Sequence, residues 1–188
     1  MIPSPTMRER VVDAAVAMTS ESGWSAVTMA AVAERVGVSR QTVYNEVGTK
    51  QGLAEAMILQ ELDRFLGVVN GAFDEHPTDL VGAIRGASRA VLELAPDNKL
   101  LHAVVSATHG ADTELLPLLT THAESLLAAA KLVVGERVAP YRLGLDREHL
   151  DAAIDMVVRL VLSHVMQPSA APARTADDIA WIATRVLR

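Results

Sequence analysis

Residues 28–50 read TMAAVAERVGVSRQTVYNEVGTK, a pattern that predicts two short helices joined by a tight turn. Apolar residues recur in the first half at the spacing i, i+3, i+4 and i+7, which places them on one face of a helix. They are Met29, Val32, Ala33 and Val36. Thr28 precedes this face as an N-cap, and Gly37 ends the helix because glycine adopts positive φ without a Cβ clash. Ser39 opens the second helix two residues later.

The second helix begins with polar side chains that suit the major groove of DNA. Those that can donate a hydrogen bond are Arg40, Gln41, Thr42, Tyr44 and Asn45. Val43 is the apolar exception, and we expect it to face the first helix. A short helix with many hydrogen-bond donors at its N-terminal end can contact base edges in the major groove. The pattern alone leaves two interpretations open, a DNA-binding helix-turn-helix and a helix pair whose polar face is only solvated.

This segment resembles the DNA-binding segment of TetR-family bacterial transcriptional regulators. The resemblance covers about the first 55 residues and rests on the following positions at their spacings: Thr28, Val32, Ala33, Gly37, Val38, Ser39, Thr42, Tyr44, Lys50 and Leu53. Three positions depart from the commonest family pattern. Gln41 stands where glycine is frequent, Glu46 where a histidine or an aromatic residue is frequent, and Val47 where phenylalanine is frequent.

The resemblance implies a three-helix DNA-binding head at residues 1–49 and a helical effector-binding and dimerisation domain at residues 50–188. DNA contacts are expected from Thr28, Ser39, Arg40, Gln41, Thr42, Tyr44, Asn45 and Lys50. Lys50 lies in the first turn of a helix, where backbone N–H groups already favour an anion, so a DNA phosphate is its expected partner. A change at Gln41 is expected to alter base preference.

Charge is distributed unevenly along the chain. The net charge is −6, but residues 1–50 contain five basic and five acidic side chains, so the rest of the chain carries the whole negative excess. A neutral head can bind phosphates locally through Arg40 and Lys50, while the acidic remainder weakens non-specific binding. We therefore expect strong salt dependence and modest affinity for non-specific DNA.

The composition predicts an aliphatic core. Half of the 188 residues are apolar, yet the chain has only two Phe, two Tyr and two Trp. The absence of cysteine excludes disulfides and thiol chemistry and fits the cytoplasm. The first residues lack the apolar run of a signal peptide, and no uninterrupted apolar stretch of about 18 residues predicts a membrane span. We expect a cytoplasmic protein that does not enter a membrane.

Apolar periodicity predicts an all-α fold of nine helices. The first helix, Thr6–Ser22, completes the head with the two short helices, and Trp24 is expected in its core. A long helix over Lys50–Phe73 then links the head to the second domain. The remaining helices are predicted at Thr78–Ala95, Asp97–His109, Thr113–Ala139, Asp146–Val165 and Thr175–Leu187, each opening on a residue type that N-caps prefer.

The last two predicted helices indicate a homodimer. The helix over 146–165 is apolar nearly all round, so we expect it to be buried on more than one face. The final helix has Ile179, Ile182, Ala183 and Val186 on one stripe. The resemblance implies that these two helices pair with those of a second copy as a four-helix bundle, and candidate interface residues are Met156, Leu160, Ser163 and Trp181. A single large core within one monomer is the alternative.

The resemblance also implies a ligand pocket among the helices of residues 51–139. Candidate lining residues are Phe65, Leu101, His102, Val105, Leu119, His122 and Leu126. Each of these residues also fits an ordinary core position. Because charged residues are scarce there, the pattern favours a small apolar effector, such as a fatty-acyl, alkane-like or drug-like molecule.

No cofactor, metal or catalytic activity is predicted. His102 and His109 can share a helix face near Asp112, but no HxxxH or HExxH spacing is present, and zinc needs three or four converging ligands. The sequence has no nucleophile elbow or phosphate loop, and Asp155 and Arg159, at i and i+4, are best explained as an ion pair.

The predicted function is a ligand-responsive, dimeric transcriptional regulator that binds a palindromic operator in double-stranded DNA, with repression as the expected sign. Two heads related by a two-fold axis can enter successive major grooves, which suits such an operator. The alternative is a helical carrier protein for a lipid-like small molecule, which would need the pocket but not the donor-rich helix.

Overall fold

The computed structural model describes residues 4–98, 100–101 and 116–187, with the backbone alone for 116–123. These ranges contain eight α-helices and two 3-10 turns and no strand. The helices are α1 Met7–Ser22, α2 Met29–Val36, α3 Arg40–Val47, α4 Lys50–Glu75, α5 Leu80–Leu94, α6 Leu116–Val138, α7 Arg147–Met166 and α8 Pro172–Val186. The prediction of an all-α fold is confirmed.

Three helix starts have the capping residue that the sequence predicts, and Thr6 caps α1 in the same way. The side chains of Thr6, Thr28, Ser39 and Asp146 each accept a hydrogen bond from a backbone N–H three residues later. These bonds satisfy donors that have no partner within the helix. At α1 the cap is reciprocal, because the Glu9 carboxylate accepts from the Thr6 backbone N–H, and this lowers the pKa of Glu9.

The starts of α5 and α8 differ from the prediction. The N-cap of α5 is Asp79 and not Thr78, since the Asp79 carboxylate accepts from the backbone N–H of Gly82. Helix α8 begins at Pro172, three residues before the predicted Thr175, because proline fits the first turn of a helix, where its missing N–H costs nothing. The predicted helix 97–109 lies mostly outside the described residues, although Leu100 and Leu101 are helical.

The chain divides into two compact units, Met1–Leu62 with Asn98–His122, and Asp63–Asp97 with Ala123–Arg188. The first unit has a core built by α1, α2, α3 and the start of α4. Its fully or nearly fully buried members include Val11, Val12, Ala15, Trp24, Val27, Val32, Val43, Leu53 and Met57. Trp24 is 3% exposed, so its predicted core position is confirmed.

The second unit has its own aliphatic core. Helix α5 packs most extensively against α8, and α7 covers both. Core residues of this unit are Val69, Ala72, Phe73, Leu80, Ala83, Ala87, Val91, Val138, Val161 and Ile179. Phe73 meets the ring of Tyr141 edge to face at 6.2 Å, and the Tyr141 hydroxyl donates to the backbone carbonyl of His76 at 2.6 Å. These contacts fix the segment after α6 on the end of α4.

None of the helices in the described ranges is both long enough and apolar enough to cross a lipid bilayer.

Candidate nucleic-acid interface

The turn between α2 and α3 is built by Gly37. This residue has φ 77° and ψ 39°, and its N–H bonds to the carbonyls of Ala33 and Glu34. The N–H of Val38 also bonds to the Ala33 carbonyl, at 2.9 Å. A left-handed residue with these two bonds ends α2 and turns the chain within three residues. The sequence predicted this turn from the glycine alone.

Two arginines of α1 hold the ends of α2 and α3. The Arg10 guanidinium donates to the backbone carbonyl of Val36 at 3.0 Å, and Arg8 donates to the backbone carbonyl of Glu46. Each bond satisfies a carbonyl in the last turn of a helix, where a positive charge is also favoured by the helix dipole. Arg35 in turn forms a bidentate ion pair with Glu21 at 2.6 Å. Three of the basic residues in this unit therefore have structural partners.

Helix α3 separates its side chains onto two faces. Val43 is fully buried and Val47 is 7% exposed, so both belong to the core, as predicted for Val43. The opposite face exposes Arg40, Gln41, Tyr44 and Asn45. Tyr44 is a large ring with 42% of its surface exposed. This face presents guanidinium, carboxamide and phenol donors, the groups that contact phosphates and base edges.

Two of the predicted contact residues also cap helix starts, and a third bonds to one of them. Thr28 Oγ1 accepts from the backbone N–H of Ala31 at 3.1 Å, and Ser39 Oγ accepts from that of Thr42 at 3.0 Å. The hydroxyls of Ser39 and Thr42 lie 2.9 Å apart, which places one hydroxyl proton between them. A hydroxyl that accepts in a cap can still donate its own proton, so these roles are compatible with a phosphate contact.

The carboxamides of α3 are paired with each other. Gln41 Nε2 donates to Asn45 Oδ1 at 3.0 Å, across one turn of the exposed face. The Arg40 side chain, beside them, makes no hydrogen bond or ion pair to any residue that the structure describes.

The start of α4 lies close to the end of α3. Thr49 Oγ1 accepts from the backbone N–H of Gly52 at 3.0 Å and caps the helix. A Cβ at Gly52 would lie 2.3 Å from the carbonyl oxygen of Val47, so only glycine allows this approach. The half-buried Lys50 places its ammonium 4.9 Å from the centroid of the Trp24 ring.

The predicted effector-lining residues are only partly described. Phe65, Leu101 and Leu126 are half-buried, and Phe65 packs against the core of the second unit. His102 and Val105 lie outside the described residues, and so do the side chains of Leu119 and His122. The assignment of these residues to a pocket stays a prediction.

One buried polar residue was missed by the sequence analysis. Asn98 is 1% exposed; its amide donates to the Glu61 carboxylate of α4, and its Oδ1 accepts from the Leu101 N–H at 2.8 Å. The bond to a backbone N–H three residues later is an N-cap pattern. The signal was therefore present in the residues Pro96, Asp97 and Asn98, but the predicted helix was started one residue too early.

The residues predicted for the dimer interface differ in exposure. Met156 is 69% exposed and Trp181 is 59% exposed, and Ser163 is exposed too. Leu160 is half-buried against the core of its own unit. The predicted stripe of α8 is divided, because Ile179 and Ala183 are buried whereas Ile182 and Val186 are over 40% exposed. Two further apolar residues near the C-terminal end of α7, Leu162 and Met166, are exposed as well.

The predicted ion pair of α7 is confirmed and extended. Asp155 accepts from Arg159 at 2.8 Å and from Lys131 of α6, also at 2.8 Å. The Lys131 hydrogen bond and then that of Arg159 lower the pKa of Asp155. Among the residues that the structure describes, no three His, Asp or Glu side chains converge as metal ligands.

The arrangement of α1, α2 and α3 is that of a helix-turn-helix DNA-binding unit. Residues 11–57 match the family model for bacterial regulatory proteins of the tetR family, and residues 79–185 match the model for the C-terminal domain of the bacterial Tetracyclin repressor. The chain belongs to the TetR family. It is a transcriptional regulator with a DNA-binding helix-turn-helix and a ligand-binding C-terminal domain, in a family of regulators and not of enzymes.

Several relatives cover nearly the whole chain. The HTH-type transcriptional regulator AlkX of Mycobacterium tuberculosis is 28% identical over 178 residues, which are 95% of this chain and 83% of that protein. The crystal structure of the TetR-family repressor AlkX from a Dietzia species, implicated in biodegradation of n-alkanes, matches with a TM-score of 0.74 and 28% identity and covers 95% of this chain and 96% of that one. A TetR-family regulator from Mesorhizobium loti shares the fold, with a TM-score of 0.67, 16% identity and 95% of each chain covered.

Proposed function

We propose that this protein is a homodimeric repressor that binds a palindromic operator and is released from it by a small apolar effector. The head would be residues 1–49 and the effector-binding and dimerisation domain residues 50–188. The observation that carries this proposal is the exposed face of α3, where Arg40, Gln41, Tyr44 and Asn45 stand together over a core-facing Val43.

The DNA contacts are divided between two kinds of group. Phosphates at the edges of the groove would be bound by Thr28, Ser39, Tyr44 and Lys50. The carboxamides of α3 would lie against base edges. Arg8, Arg10 and Arg35 have partners within the head, so phosphate binding would depend on few basic side chains. The salt dependence should therefore be smaller than the strong one that the charge distribution predicts, because few phosphates are bound per head.

The dimer is supported by the exposed apolar residues of α7 and α8. Met156, Trp181 and Ile182 expose large apolar surfaces, and exposed apolar patches of this kind mark interaction surfaces. A two-fold partner would place two heads in successive major grooves.

The nature of the effector is supported by composition and by one relative. The candidate residues Phe65, Leu101 and Leu126 are apolar, and the Dietzia repressor that resembles this chain is implicated in biodegradation of n-alkanes. An alkane-like or fatty-acyl molecule is therefore the proposed class. Because α4 begins beside α3 and continues to Glu75, we propose that effector binding alters the separation of the heads through this helix. Repression is the proposed sign, and the cytoplasm the proposed location.

The first experiment is binding of the purified protein to its own upstream intergenic DNA at two salt concentrations. Tight, salt-dependent binding that is lost in Tyr44→Ala and weakened in Arg40→Ala is the expected result. Arg147→Ala is the matched control for charge, because the Arg147 side chain is 95% exposed on α7 of the second unit. If the upstream DNA is not bound, selection from randomised duplexes with effector-stripped protein would reveal an operator that lies elsewhere in the genome. Binding of apolar ligands without affinity for any duplex would instead identify a carrier.

A further inference from the structure

The exposed face of α3 contains two carboxamides that are hydrogen-bonded to each other. Gln41 Nε2 is the donor and Asn45 Oδ1 the acceptor, at 3.0 Å. Both side chains are exposed, and both lie on the face opposite the buried Val43. Gln41 is the second residue of the helix, and the N-terminal residues of a recognition helix are those that contact base edges.

We propose that Gln41 reads adenine in each half-site and that Asn45 is a positioning residue that orients the Gln41 carboxamide. This inference rests on the proposed function, since it requires that α3 enter the major groove. It assigns a base to one residue and a supporting role to another, four positions along the same helix.

The chemistry follows from the groups that remain on Gln41. A carboxamide carries one oxygen acceptor and two N–H donors. One N–H is used in the bond to Asn45, so Oε1 and the other N–H remain for the DNA. In the major groove adenine presents an N7 acceptor and an N6 donor side by side, whereas guanine presents two acceptors. The remaining oxygen acceptor and N–H donor of Gln41 can therefore form two hydrogen bonds with adenine at once.

The role of Asn45 follows from the direction of the bond. Because Asn45 Oδ1 accepts a hydrogen bond, it pairs with Nε2 of the Gln41 amide. Oε1 of Gln41 then points away from Asn45. The reversed bond, with Asn45 donating to Gln41 Oε1, would direct both N–H groups of Gln41 to the groove and would suit guanine. The orientation of this single hydrogen bond thus decides which purine is preferred.

The test is selection of binding sites from randomised duplexes by the full-length protein, followed by competition with each base pair of the selected site replaced in turn. For the unaltered chain we expect one position in each half-site at which adenine is preferred by about 5- to 100-fold over other bases. Gln41→Ala should flatten the preference at that position and leave the others unchanged. Gln41→Glu, which can only accept, should shift it toward cytosine, whose N4 amino group donates.

Asn45 is tested by a pair of variants. Asn45→Ala should reduce the adenine preference at the same position, because the amide loses its orienting acceptor. Asn45→Asp keeps an oxygen there, so adenine preference should return even though the added negative charge weakens binding to all sequences. A purely structural role of Asn45 would lower affinity in both variants without changing the profile.

The matched control is Gln51→Ala, because Gln51 donates to Glu55 at i+4 on α4 in the same way that Gln41 donates to Asn45 on α3. Its base profile should equal that of the unaltered chain. The proposal is overturned if Gln41→Ala leaves every position unchanged, or if the position that it flattens prefers guanine. Failure of the unaltered, dimeric chain to select any duplex would overturn the proposed function itself, a result distinct from either of these.

Discussion

The ammonium group of Lys50 lies 4.9 Å from the centroid of the Trp24 ring, so the residue that opens α4 is attached to the core of the first unit. A cation at this distance from an indole is attracted by the ring. The contact holds the ammonium near the N-terminal end of α4, where an anion is also favoured.

Lys50→Ala should weaken binding to all DNA sequences alike and reduce the slope of log K against log salt by about 2 for the dimer, about 1 for each head. The reason is the loss of one phosphate contact per head with no loss of base reading. Lys50→Arg keeps the charge and can stack on Trp24, so it should preserve most of the affinity. A lower unfolding free energy with an unchanged salt slope would show that Lys50 has only a structural role.

Gly52→Ala should destabilise the protein by about 1–3 kcal/mol, because its Cβ would lie 2.3 Å from a backbone carbonyl oxygen that cannot move without shifting α3. DNA affinity should fall as well. The control is Gly67→Ala in the same helix, where no described atom lies within 4 Å of the added Cβ. That change should stabilise the protein by about 0.5–1 kcal/mol. Urea denaturation of both variants measures the difference, and equal effects would contradict the close approach.

Asp155→Asn should lower stability at neutral pH and matter less in acid. The pKa of Asp155 is lowered in the folded state by Lys131 and Arg159, so its contribution is present above the unfolded pKa and is lost as the pH falls through the folded pKa. Denaturation at pH 7 should therefore show a lower free energy of unfolding for Asp155→Asn than for the unaltered protein. At about pH 3 this difference should be smaller. Asp151→Asn is the control, since Asp151 is 67% exposed and 3.9 Å from Arg147. A gap independent of pH would refute the prediction.

Trp181→Ala should raise the dissociation constant of the dimer by roughly tenfold or more, because large exposed aromatic residues are frequent interface hot spots. The guanidinium of Arg185 lies 4.2 Å from the Trp181 ring centroid and would lose this support. Sedimentation over a range of protein concentrations measures the change. Leu59→Ala, at a 54% exposed leucine on α4, provides the comparison and should leave the dimer intact. An unaltered dimer in both variants would exclude Trp181 from the interface.

Local features of the fold could be predicted from the sequence, and distant contacts could not. Thr28, Gly37 and Ser39 define the ends of α2 and α3 because capping and positive φ depend on one residue and its neighbours. Arg8 and Glu46 are 38 positions apart, and no periodicity connects a guanidinium to a carbonyl at that distance.

In the second unit, too, the burial of a residue depends on contacts that its position in the sequence does not predict. Ile179 and Ile182 fit one helical stripe, yet only Ile179 enters the core, because the neighbours that cover it belong to other helices. Position along a helix predicts which residues share a face, but the width of the buried face depends on how α5 packs against α8. The DNA-contact and effector residues remain predictions, since their identity depends on bound molecules.

The hydrogen bonds of Arg8 and Arg10 to backbone carbonyls of the head bear on competition within a genome. Every stretch of chromosomal DNA attracts basic side chains, and a regulator is diluted over millions of such sites. Guanidinium groups that bond to the carbonyls of Val36 and Glu46 have fewer N–H donors left for the phosphates of unrelated DNA. We therefore expect that few copies per cell suffice to occupy the operator, since most molecules are not retained on unrelated DNA.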